Sequence, residues 1–220
     1  MKKRRKVAIL GCSFCNNEFD EDEFEIWSMN NGFLVNSHIK FTRWFELHRI
    51  DEIDGTFYRR DIDYFKDKTV RGYLEDLNKL DIPVYMHKKW KIVKKSIAFP
   101  LVKILNRFPR GYFTNSFAWM VALAIIEGFK EINLHGVCEF QEDFSEFYVH
   151  KLSTEYLLGV AEGLGIKIFV PNDSGLLKCR YLYGFQENPY TYEKHISELE
   201  SRRGLFSKDL IENHIGLGHV

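Results

Sequence analysis

The sequence predicts an α/β fold: a Rossmann-like, mostly parallel sheet with helices on both faces, plus a helical C-terminal extension. Three observations carry this. Short strand-type runs alternate with segments of helical spacing along most of the chain. The strand runs stop at Gly, Asn, Ser or Pro, residues that turn a backbone. A chain of 220 residues is long enough to bury the core of one such domain.

Taken in order, Val7-Ala-Ile-Leu10 is a compact buried-strand run ending in Gly11-Cys12-Ser13. Glu25 to Met29 reads as a second strand ending in Asn30-Asn31-Gly32, and Trp44 to Leu47 as a third ending at His48. From about Asp63 to Leu80 the apolar residues Val70, Leu74, Leu77 and Leu80 fall on one helical face. Asp81-Ile82-Pro83 closes that helix, and Val84 to Met86 is the next strand. Thr114-Asn115-Ser116 offers side-chain oxygens at a helix start, the Ala- and Leu-rich run Phe117 to Glu127 follows, and Gly128 ends it. Glu131 to Leu134 is a strand running into His135-Gly136-Val137-Cys138. A polar loop with Glu139, Asp143, Tyr148 and His150 then leads to a helix from about Ser153 to Gly163, and Ile166 to Val170 is the last core strand, stopped by Pro171-Asn172. The pattern weakens after Leu176, and Tyr192 to Arg203 reads as a charged, exposed helix. Residues 1–177 are thus expected to form one Rossmann-like domain, and 178–220 a helical extension, a lid or an oligomer contact.

Thirty-one Lys and Arg balance 31 Asp and Glu, yet the charge is segregated. Six of the eight residues from Glu18 to Glu25 are acidic, whereas Lys88 to Arg110 holds eight Lys/Arg and no acid. A solvated face is the plain reading of each stretch. The sharper one is that the basic stretch, with Trp90, Phe99 and Phe108 interleaved, meets a phosphorylated or nucleic-acid ligand. The longest apolar run, Phe117 to Ile126, is about half the length of a membrane span. The basic start Met1 to Lys6 lacks the apolar stretch of a signal peptide, so a cytoplasmic location is expected. Cys12 and Cys15 form the one C-x-x-C, and no second pair completes a zinc set. Reduced structural or loop cysteines are expected, and no metal site.

In an open parallel sheet, ligands bind beyond the carboxyl ends of the strands. The polar residues predicted there are Gly11, Cys12, Ser13, Asn30, Asn31, Glu46, His48, Thr114, Asn115, Ser116, the 136–139 loop and the 171–174 turn. Small residues admit backbone N–H groups to a phosphate, and a helix N-terminus adds partial positive charge. Paired Asn side chains offer donor and acceptor together to a base or ribose edge. The plain alternative is that these residues merely make turns. The sequence lacks G-x-G-x-x-G, G-x-x-x-x-G-K-[ST] and G-x-S-x-G, which disfavours a standard dinucleotide site, a P-loop kinase and a hydrolase elbow. His150 suits a general base on a hydroxyl near neutral pH, with His48 or His135 able to replace it.

The run Tyr112 to Ser116 leading into an Ala-rich helix, followed by Glu127 to Val137, resembles the central block of bacterial lipooligosaccharide sialyltransferases. It also resembles the archaeal-type 6-hydroxymethylpterin pyrophosphokinases, and similar sequences are associated with tailed-phage genomes, hence a host cytoplasm. The likeness runs on through Tyr148-Val149-His150 and Gly165 to Ser174. It implies a nucleotide site in which Thr114, Asn115, Ser116, Gly136, Val137 and Cys138 flank phosphate and ribose. Pro171, Asn172 and Ser174 would border the base, and Asn30 or Asn31 would hold the donor. His150 falls at the family's general base, and Tyr148 near a tyrosine that stabilises the departing phosphate. The first loop departs from the family's Gly-x-Gly-Pro-Ser, and Cys138 stands where an Asp is usual, with Glu139, Glu142 or Asp143 as substitutes. The leading expectation is a nucleotide-dependent transferase, most like a glycosyltransferase with a nucleotide-sugar donor and a hydroxyl acceptor, the latter a phosphorylated group, a modified nucleotide or DNA. Pyrophosphoryl transfer is the alternative, with Mg²⁺ held by Glu139 and Asp143. A protein that sequesters a nucleotide without chemistry is the third. An oligomer is compatible with all three.

Overall fold

The computed structural model describes residues 5–15, 19–59, 69–136, 144–172 and 174–178, with the backbone alone of 144–149. The chain divides into two units, Met1–Leu176 and Leu177–Val220, and of the second only Leu177 and Lys178 are among the described residues.

The first unit is built on a seven-stranded sheet. In chain order its strands are β1 (Lys6–Leu10), β2 (Phe24–Met29), β3 (Arg43–Glu46), β6 (Val84–Met86), β7 (Ser96–Ala98), β8 (Glu131–His135) and β9 (Lys167–Phe169). They lie in the spatial order β7-β6-β3-β2-β1-β8-β9, and every neighbouring pair is parallel. β1 is an interior strand, apolar on both faces. Val7, Ala8, Ile9 and Leu10 are all fully buried, as expected of a strand covered from both sides. The chain works outward from β1 to β7, then crosses back to place β8 on the other side of β1, so the strand order reverses between β1 and β8.

Helices cover both faces. Against one face pack α3 (Leu101–Arg107), α4 (Ser116–Glu127) and α5 (Phe144–Gly163), bringing Ile104, Met120, Val121, Leu157 and Leu158 onto Val7, Ile9, Ile132 and Leu134. Against the other, Tyr73, Leu74 and Leu77 of α2 (Val70–Leu77) pack on Trp44, Val84 and Met86. The short α1 (Gly32–Val35) follows β2. Arg43 pins the amino edge, paired with Glu25 and Glu127 at 2.9 Å each.

Several expectations change. The strand Ile166 to Val170 is the shorter β9, with Phe169 and Lys167 exposed rather than in the core, and among the described residues it pairs only with β8. The helix expected from Asp63 is described only from Val70, followed by a single 3₁₀ turn at Asn78–Leu80; residues 60–68 lie outside the described residues. An antiparallel hairpin of β4 (Ile50–Ile53) and β5 (Thr56–Arg59) stands after β3, closed by Asp54-Gly55 with both residues at positive φ. The basic stretch contains β7 and α3, and its aromatics are core: Trp90, Phe99 and Phe108 are 5%, 9% and 8% exposed. They therefore present no stacking surface to a nucleic acid. No helix among the described residues is long and apolar enough to cross a membrane.

Candidate functional site

All seven sheet strands end at one edge, so the loops after β1, β2, β3 and β8 are neighbours there. Two glycines meet where the strand order reverses between β1 and β8, the point at which an open sheet of this kind forms its crevice. A Cβ on Gly11 would lie 2.2 Å from the Gly136 carbonyl oxygen and 2.9 Å from the Phe117 ring, and one on Gly136 would lie 2.8 Å from the Ser13 carbonyl oxygen. Gly136 also takes φ +60, a conformation costly for any side chain with a Cβ. The Gly11 N–H donates to the His135 carbonyl at 2.9 Å, extending the β1–β8 ladder one step into the loop.

The rest of the first loop is held from α1. Asn36, fully buried, donates to the Ser13 carbonyl at 2.9 Å and accepts from the Cys15 N–H at 3.0 Å. Cys12 is a free thiol. Burial pushes the Cys12 thiol above its ordinary pKa and the nearby Glu46 charge adds to this, outweighing the backbone N–H groups of Asn31 and Gly32. A thiol held protonated is a poor nucleophile; its contact is with the Met29 carbonyl at 3.7 Å. Asn30 sits at φ +51, and its buried Oδ1 has no hydrogen-bond partner among the described residues.

Thr114, Asn115 and Ser116 do open α4, as the sequence indicates. Asn115 Oδ1 accepts from the Ala118 N–H at 2.8 Å, and its Nδ2 donates to the His150 carbonyl at 2.7 Å and to Thr154 Oγ1 at 3.0 Å. The Thr114 hydroxyl meets Ser153 Oγ at 2.6 Å. These side chains thus join the start of α4 to α5 at His150, and the Phe117 ring of α4 lies against Gly11. Asn115→Ala is expected to cost about 1–2 kcal/mol as a lost helix cap, read as a lower urea midpoint at unchanged slope.

Tyr148 and His150 are not in a loop. Both lie inside α5, because the Ser153 and Thr154 hydroxyls bond back to the His150 carbonyl (3.3 and 3.1 Å) instead of starting a helix at Ser153. Pro171, Asn172 and Ser174 follow β9, where the Ser174 N–H donates to the Pro171 carbonyl at 3.1 Å; Asn172 is exposed and Ser174 buried. Val137, Cys138, Glu139, Glu142 and Asp143 lie outside the described residues, as does the Tyr148 side chain. Among the described residues no group of His, Cys, Asp or Glu could hold a metal ion.

A second polar cluster forms where β3 ends. Glu46 is completely buried and collects His48 Nδ1 at 2.7 Å, the His48 N–H at 3.2 Å, Arg59 Nη1 at 3.2 Å and the Tyr73 hydroxyl. That hydroxyl also reaches the Asn30 carbonyl at 3.0 Å, so the cluster braces the end of β2. Burial alone would raise the Glu46 pKa, but the His48 hydrogen bond, Arg59 and Tyr73 together bring it below the ordinary value. Arg59 is 4% exposed and His48 29%. Glu46 and His48 were visible as polar residues ending a strand, whereas Arg59 and Tyr73 were missed. The Asp54-Gly55 turn signal was the clue to the hairpin that delivers Arg59.

These features define an open parallel α/β protein with a polar carboxyl edge at its strand-order reversal. No family model and no curated protein matches the chain. Among solved structures it is similar to the sialyltransferase CstII from Campylobacter jejuni. In complex with the substrate analogue CMP-3FNeuAc, that protein is 16% identical with a TM-score of 0.47, over 75% of this chain and 79% of the other. In complex with cytidine-5'-monophosphate it is 16% identical with a TM-score of 0.45, over 89% and 99%.

Proposed function

We propose that the protein is a nucleotide-dependent transferase, most like a glycosyltransferase, that holds a nucleotide-sugar donor at the carboxyl edge and moves the sugar to a hydroxyl acceptor. The observation that carries this reading is Asn30 Oδ1, buried at that edge without a hydrogen-bond partner among the described residues. A buried polar atom left so is costly, and a ribose hydroxyl or an exocyclic amine of a nucleotide would donate to it. Position supports the same reading. Asn30 follows β2, next to the β1 loop through the Cys12 contact with Met29, and open sheets bind nucleotides where their strand order reverses. Gly11, Ser13 and Gly136 would face the phosphate, with Asn31 and the α4 start beside it, and Pro171, Asn172 and Ser174 would border the base. His150 would take the acceptor's proton as the sugar–phosphate bond breaks, and Tyr148 would meet the departing phosphate.

The test is a thermal-shift series with CMP, UMP, GMP, AMP and the corresponding nucleotide sugars. A nucleotide at one hundred times its Kd adds about 2.7 kcal/mol to the folded state, a rise of several degrees. Asn30→Gly, which keeps the left-handed backbone, is expected to lose most of that rise. If no nucleotide shifts the wild type, or if Asn30→Gly responds equally, the reading fails.

A further inference from the structure

We propose that the outer face of α3, with the adjoining edge strand β7, is a docking surface for an anionic phospholipid layer. α3 carries more apolar surface than the core uses. Ile104 and Phe108 turn inward and are buried, yet Leu101, Val102 and Leu105 stay 46%, 71% and 36% exposed. Positions 101 and 105, and 102 and 105, are helical neighbours, so they make one patch. Ile97 of β7, 41% exposed, stands just before it in the chain.

The same segment is strongly cationic. Lys103, Arg107 and Arg110 are exposed on or beside α3, and the whole run from Lys88 to Arg110 contains no acid. Lys95 is paired with Asp81 at 2.7 Å. The occupant must therefore offer negative charge and hydrocarbon together. Single-stranded nucleic acid offers charge and stacking bases, but the aromatics it would use are in the core. A lipid headgroup layer offers phosphate to the cations and acyl chain to Leu101, Val102 and Leu105, which is how surface-lying amphipathic segments bind membranes. No residue assigned to the nucleotide site takes part, so this surface stands or falls separately from that assignment.

The test is co-sedimentation of the full chain with vesicles of phosphatidylcholine and with vesicles of equal parts phosphatidylcholine and phosphatidylglycerol. Binding to the second only, weakening as salt is added, is expected. Replacing Lys103, Arg107 and Arg110 together by Gln should lower the partition coefficient roughly 100-fold, at about fivefold per cation. Val102→Ser with Leu105→Ser should lower it at least about tenfold, while the thermal midpoint shows that the variant still folds. Three results would overturn the proposal: no binding to the anionic vesicles, full binding by the folded Val102→Ser/Leu105→Ser variant, or an oligonucleotide bound in a manner lost with the cations but indifferent to Val102 and Leu105.

Discussion

Glu46→Ala is expected to destabilise the fold by about 3–5 kcal/mol, because it leaves the Arg59 guanidinium buried without its carboxylate. Against a total of about 5–15 kcal/mol for a domain, that is a large share. Urea titration reads it as a lower midpoint, with the slope reporting whether the unfolding remains two-state. The effect also has a pH signature. The carboxyl's folded pKa lies below its ordinary value, so its ionised form stabilises the protein fully above the unfolded-state pKa, near pH 4.3. That contribution is lost as the pH falls through the lower, folded value. The gap between wild type and Glu46→Ala should therefore be widest at neutral pH and narrow in acid. Glu46→Gln keeps the shape and an acceptor for Tyr73 but removes the charge facing Arg59, and should fall between the two. A gap independent of pH would mean that Glu46 contributes through packing alone.

His150→Ala is expected to lower turnover of the proposed transfer reaction by about 10²–10⁴-fold, the range for loss of a general base, and to leave nucleotide binding intact. The structure makes this substitution a clean test. The hydrogen bonds from Asn115, Ser153 and Thr154 end on the His150 backbone carbonyl, and an alanine supplies the same carbonyl. The join between α4 and α5 should survive, so the thermal shift given by the nucleotide is expected to match wild type. Unchanged turnover would remove His150 from the reaction. The same experiment on His48 separates the two candidate histidines.

The sheet was legible in the sequence because its strands are continuous apolar runs, Val7 to Leu10 most plainly, each stopped by a turn residue. Helices stand before β3, β6, β8 and β9, as parallel pairing leads one to expect, whereas β1–β2 and β6–β7 are joined without a helix among the described residues. Asn115 as a helix cap was legible for a similarly local reason: the side chain bonds within its own turn. What failed was what depends on distant partners. Ser153 and Thr154 look like a helix start until the turn before them is known to be helical. Trp90, Phe99 and Phe108 look like aromatics among lysines, and only the packing against α2, β3 and α4 shows that they are core. The Glu46 cluster joins residues up to 27 positions apart, one from a strand end, one from a hairpin and one from a helix, and no window of sequence contains it. Asp54-Gly55 was the exception, a local signal for the hairpin that went unread.

The two glycines beneath the crevice have an evolutionary consequence. Where an added carbon would lie 2.2 Å (Gly11) or 2.8 Å (Gly136) from a backbone oxygen, mutation has almost no vocabulary: every side chain is too large, and the contour is fixed by main-chain atoms. Under the proposed function, a change of nucleotide preference would then be written around them, at Asn30, Asn31, Ser13 and the turns after β3 and β9. Libraries aimed at altering specificity are best built there, with positions 11 and 136 left constant.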